Sequence, residues 1–154
     1  MWRREKRKSS AVGAFDNCKI VDPTKIVQEI ARELWERYWP TGGEVHIANM
    51  LPLLDCGEET AREIFLPLLE CALEARSKTE TSDAIVGSLA NGHGVMFSIQ
   101  STNRTAYIGN PERLAQAKAA VLRVGGKLWI NEKASSGSTV YFTIPIGEGA
   151  NNSN

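Results

Sequence analysis

The chain has 154 residues, 42% of them hydrophobic, enough for one ordinary domain that buries roughly two-thirds of its unfolded surface. Its 18 Lys and Arg balance 18 Asp and Glu, so no overall field draws it to nucleic acid or to an anionic membrane. No apolar run approaches the roughly 18 residues of a membrane span, and Cys18, Cys56 and Cys71 lack the spacing of a zinc site, which fits a reduced, soluble, cytoplasmic protein.

Residues 1–17 gather Arg3, Arg4, Lys6, Arg7 and Lys8 among few large apolar side chains, and residues 148–154 are rich in Gly, Asn and Ser. Both read as disordered tails, because neither can bury enough surface to offset the entropy of ordering. Between them the pattern divides into an amphipathic segment, 18–40, and a domain, 41–147.

The first strong periodicity runs from Thr24 to Trp39. Ile26, Val27, Ile30, Ala31, Leu34, Trp35 and Tyr38 recur at helical spacing, with Glu29, Arg32, Glu33, Glu36 and Arg37 largely opposite. Asp22 and Pro23 supply a cap and a first turn, and Pro40 with Gly42-Gly43 stops the helix. Glu44 to Asn49 alternates as a strand. A second helix is expected from Glu58 to about Ser77, with Thr60 as a candidate cap and Pro67 as a point of bending. Ala84–Ala90 and Val95–Gln100, joined by Asn91-Gly92-His93-Gly94, read as a hairpin. Asn110 and Pro111 open a third helix on the stripe Leu114, Ala117, Val121 and Val124. Gly125-Gly126 breaks it, Lys127–Asn131 is a strand, Gly137-Ser138-Thr139 a turn, and Val140–Pro145 a final strand. This order predicts an α/β fold of the α+β two-layer kind, a mixed sheet with helices on one face. Leu114, Val121, Leu128, Ile130, Tyr141 and Ile144 are expected to meet across the helix-sheet interface.

The last unit, Glu112 to Pro145, resembles the end of the histidine-kinase ATP-binding domain of the gyrase, Hsp90, kinase and MutL superfamily: helix, Gly-Gly, strand, Gly-Ser-Thr, strand, Pro. The resemblance implies a Bergerat-like fold over roughly residues 44 to 146 and locates three nucleotide motifs. At the asparagine-rich helix motif this chain has Glu70-Cys71-Ala72-Leu73-Glu74-Ala75. Glu74 stands where the family's magnesium-holding asparagine is, and Glu70 where the gyrase-like branch keeps a general base. A carboxylate can ligate magnesium but adds negative charge beside a polyphosphate. At the motif that reads adenine through an aspartate and two glycines, the chain has Ser101-Thr102-Asn103-Arg104-Thr105. At the glycine-rich phosphate motif, Gly109 survives, Arg113 replaces the final glycine, and Pro111 has no N–H to donate.

With all three motifs altered and the framework kept, the sequence points to a pseudo-ATPase or pseudokinase: a non-catalytic regulatory protein with no cofactor. Its expected setting is signal transduction of the two-component or anti-sigma type, docking a kinase, response regulator or sigma factor. The alternative is a divergent ATP-binding protein that uses Glu74 for magnesium and Glu70 as base. A weaker third reading is a nucleic-acid accessory domain that uses the basic tail. His46, on a strand, and His93, in a glycine turn, lack the helical context of a phospho-accepting histidine. The expected interaction surface is the Thr24–Trp39 helix, through Leu34, Trp35, Tyr38 and Trp39, with a protein partner or a second copy.

Overall fold

The structure is a computed structural model that defines residues 20–39, 43–74, 82–91, 94–103, 106, 107, 110–133 and 137–145. In chain order the elements are β1 (Ile20–Val21), α1 (Pro23–Tyr38), β2 (Val45–Ile47), β3 (Leu54–Asp55), α2 (Glu58–Glu74), β4 (Ala84–Asn91), β5 (Gly94–Ser101), α3 (Pro111–Arg123), β6 (Leu128–Lys133) and β7 (Gly137–Pro145).

Local chemistry sets the helix ends. Asp22 Oδ1 accepts the Thr24 N–H at 3.0 Å and Pro23 opens α1. Asn110 Oδ1 does the same for Arg113 N–H at 3.3 Å before Pro111 of α3. At the end of α3 the Gly126 N–H donates to Val121 O and the Gly125 N–H to Leu122 O, both at 3.0 Å, which is the paired bonding of a Schellman stop. The two glycines have different reasons. Gly125 adopts φ +84°, and a Cβ on Gly126 would lie 1.8 Å from Thr143 O.

The main sheet has the order β2-β4-β5-β7-β6, parallel at β2-β4 and antiparallel elsewhere. The three helices cover one face, with α2 packed between α1 and α3. Phe97 and Phe142, register partners on β5 and β7, stack at 5.2 Å, and Phe65 of α2 meets both edge-on at 5.5 Å. Ile26, Val27, Ile30 and Leu34 of α1 and Ala117, Ala120 and Val121 of α3 are buried in the same core. The fold class is therefore the α+β two-layer arrangement read from the sequence.

Several details differ from the reading. β1 pairs antiparallel with β3 in a separate two-stranded sheet that no alternation announced. The helix α2 begins at Glu58, which puts Thr60 inside it, and it runs unbroken through a buried Pro67. Gly137 to Thr139 begins β7 instead of forming a turn, with Gly137 paired to Lys133. Tyr141 is not in the helix-sheet interface: on β7 the even positions Val140, Phe142 and Ile144 face the core, so Tyr141 faces outward and stacks on Trp129 at 5.7 Å.

Candidate functional site

Because α1 runs parallel to α2 and α3 runs antiparallel to it, the C-terminal end of α2 is flanked by the end of α1 and the start of α3. Four charged side chains converge there. Arg113 Nη2 lies 2.8 Å from Glu74 Oε2, and Arg113 Nη1 lies 3.1 Å from Glu70 Oε1, an ion pair without hydrogen-bond alignment. Arg37 Nη1 donates to Glu70 Oε2 at 2.5 Å. The Tyr38 hydroxyl donates to Glu74 Oε2 at 2.7 Å, and the Asn110 amide reaches Glu74 Oε1 at 3.4 Å. Glu70 is the most enclosed of the charged members, its side chain 14% exposed. The electrostatics agree with this pairing. The bond to Glu70 pushes the Arg37 pKa up, while burial and then the bond to Glu74 raise that of the Tyr38 phenol.

A second polar net lies beneath. Ser101, at the end of β5, is fully buried; its hydroxyl is 2.9 Å from that of Ser82 and 3.3 Å from Ala72 O, and it accepts the Asn103 N–H at 3.1 Å. The Ser82 hydroxyl donates to Ala72 O at 2.5 Å. Asn103 O accepts from the Ser138 hydroxyl at 3.0 Å. Gly137 completes the closure, since a Cβ there would lie 2.0 Å from Ser101 O. Beside this net Cys71 Sγ donates to Ala106 O at 2.5 Å, and burial, then the Glu74 charge, push its thiol up to about 11. Tyr107, fully buried, donates to Ile99 O at 2.9 Å.

No family model and no curated protein matches the sequence. Solved structures do match. A mycobacterial sensor histidine kinase, MprB, is similar at TM-score 0.64 and 15% identity, over 82% of this chain and 97% of that one. The catalytic domain of histidine kinase ThkA is similar at TM-score 0.65 and 15% identity, over 82% of this chain and 95% of that one. The fold is that of a histidine-kinase catalytic domain. The matched share is longer than residues 44 to 146, so the likeness takes in part of the chain before residue 44, where α1 lies.

On this kinase fold the residues singled out in the sequence fall into two places. Glu70, Glu74 and Arg113 come together in one ion-paired cluster, and Ser101 and Asn103 sit in the buried net behind it. Gly109 and His93 lie outside the described residues. His46 is a half-exposed strand side chain with Nε2 3.7 Å from Glu44 Oε1. Among the described residues no group of three or more His, Cys, Asp or Glu could hold a metal ion, and no helix is long and apolar enough to cross a membrane.

The four candidates on α1 separate. Leu34 is fully buried in the core, so it cannot meet a partner, and Tyr38 is half-buried on Glu74. Trp35 and Trp39 remain at the surface, 40% and 62% exposed, with ring centroids 4.9 Å apart. A small groove of about 350 Å³ beside Trp35 is floored by Ala31, Gly43 and Val45. Sequence reading missed Arg37, which it put on the solvent side, and Ser82, which belongs to no motif. Both find their partners more than one element away, and no local spacing signals that.

Proposed function

We propose that this protein is a non-catalytic interaction module that keeps the histidine-kinase catalytic fold for its surface and has closed the nucleotide position with its own charges. One observation carries the reading: Glu70 and Glu74, at the positions of the family's base and magnesium ligand, are both paired to Arg113, and further to Arg37, Tyr38 and Asn110. As paired, they do not fit a magnesium nucleotide. The metal would have to displace a guanidinium already within 3.1 Å of both carboxylates, and the Ser101 hydroxyl is engaged in a buried net with the Ser82 hydroxyl and Ala72 O. The alternative in which Glu74 holds magnesium and Glu70 serves as base needs both carboxylates free, and so ranks second.

The working surface in this reading is the Trp35-Trp39 pair on α1, docking a protein partner, a second copy included, in two-component or anti-sigma-type signalling. The network braces that helix, because Arg37 and Tyr38 tie its last turn to α2. Titration of the protein with ATP and magnesium by calorimetry tests the closed site: no heat is expected at millimolar nucleotide, and a dissociation constant below roughly 100 μM, about 5.5 kcal/mol of binding, would overturn it. Sedimentation of wild type and Trp35→Ala tests self-association, which Trp35 should support by at least about 1 kcal/mol if the partner is a second copy.

A further inference from the structure

On the outer side of the helical layer α2 and α3 leave a groove of about 920 Å³. Its floor is apolar, made by Leu66, Pro67, Ala119 and Ala120, and its rim is acidic, with Glu58, Glu59, Glu63 and Glu70 against Arg62 and Arg123. Both arginines are already paired, Arg123 to Glu63 at 2.5 Å and Arg62 to Glu33 at 3.1 Å. Among the described residues Glu58 and Glu59 enter no ion pair. Among the described residues the groove therefore offers apolar contact flanked by two carboxylates, Glu58 and Glu59, outside any ion pair.

The chain carries the complement of this surface at its own start. Residues 1–19 hold Arg3, Arg4, Lys6, Arg7, Lys8 and Lys19 against Glu5 and Asp16, a surplus of four positive charges; because the whole chain is neutral, everything after them carries four negative. Trp2 adjoins the basic run. Position fits as well as charge. The pairing of β1 with β3 is antiparallel, Ile20 opposite Asp55, so the N-terminal end of β1 lies at the end of β3, immediately before α2 opens at Glu58. From Ile20 back to Lys8 the chain can span up to roughly 40 Å, and α2 from Glu58 to Glu70 rises only about 18 Å.

We propose that the N-terminal segment Trp2–Lys8 binds in cis along the α2-α3 groove, its Trp2 ring and the stems of its basic residues on the apolar floor and its cationic heads on Glu58 and Glu59. Arg and Lys suit such a place because their aliphatic stems cover apolar surface while the charge stays at the rim. Tethering keeps the segment at an effective concentration in the millimolar range, so weak contacts suffice.

The test compares ¹⁵N amide spectra of three full-length proteins: wild type, Trp2→Ala, and a variant with Arg3, Arg4, Lys6, Arg7 and Lys8 all changed to Gln. All changes precede β1, so the rest of each spectrum reports that the domain is folded. Amides of Glu59, Glu63, Leu66, Ala119 and Arg123 are expected to shift in both variants, while those of β2 stay in place. In wild type the same amides should move toward the neutral variant when salt is raised to about 0.5 M, where charges are screened beyond a few ångströms. Groove amides that superimpose in all three proteins overturn the proposal. So do shifts that disappear on dilution, which would mean that the segment binds a second copy.

Discussion

The inner and outer sides of α2 are held by different physics. Its inner side sets Phe65 against the stacked rings of Phe97 and Phe142, with Leu68 and Ala72 buried in the same core. Its outer edge sets Glu63, Glu70 and Glu74 against Arg123, Arg37 and Arg113, where water still reaches. Fully burying one large apolar side chain contributes about 1.5–3 kcal/mol, largely whatever the salt, whereas an exposed ion pair contributes about 0–1 kcal/mol and is screened. The apolar side thus supplies the stability of the domain. The charged edge fixes how α1 and α3 sit on α2, and in the proposed reading it closes the nucleotide position.

Breaking the apolar side should cost most. Val121→Asp puts an unpaired carboxylate into a fully enclosed site on α3, and a loss of several kcal/mol is expected, visible as a collapse of the thermal transition. Phe142→Ala and Tyr141→Ala, one residue apart on β7, sharpen the contrast within a single strand. The first should cost about 3–5 kcal/mol, while the second, on the open face against Trp129, should cost under about 1.5 kcal/mol in urea unfolding.

The charged edge should respond more mildly. Glu74→Ala removes the shared acceptor of Arg113, Tyr38 and Asn110 and is expected to cost about 1–3 kcal/mol. Hydrogen exchange should then rise at the end of α1 before it rises in β5 or β7. The pH response belongs to the groups beneath this edge. Burial raises the Cys71 thiol from 9.0 to about 11 and raises Tyr107 and Tyr38 as well, so the folded chain keeps protons that the unfolded chain has lost. Stability is therefore fully present below about pH 9 and declines between 9 and 11. Melting temperatures across that interval should fall less steeply in Cys71→Ala.

Much of the apolar side was legible because its information is periodic. The stripes Ile64-Phe65-Leu68-Leu69 and Ala117-Val121, the caps Asp22 and Asn110, and the Gly125-Gly126 stop each follow from spacing or from one residue's backbone chemistry. Tyr141 was misplaced because one step along a strand reverses the face, and its neighbour Phe142 holds the inner position. The two-residue strands β1 and β3 are too short to show alternation. At the charged edge the sequence marks Glu70, Glu74 and Arg113 by position against the motifs of the histidine-kinase ATP-binding domain that it resembles, yet nothing in their spacing tells that they pair with one another. Arg37, 33 residues before Glu70, and Tyr38, 36 before Glu74, could be placed only by the parallel packing of α1 on α2.

In the proposed reading the chain's own side chains close this site as one coupled unit. A double-mutant cycle on Arg113→Ala and Glu74→Ala, read by urea unfolding of the two single variants and the double, measures that coupling. Groups in one ion-pair network couple by about 0.5–3 kcal/mol, and a coupling of about 1–2 kcal/mol is expected here, with the double variant losing clearly less than the two singles together. Losses that add within about 0.3 kcal/mol would show two independent residues and contradict it.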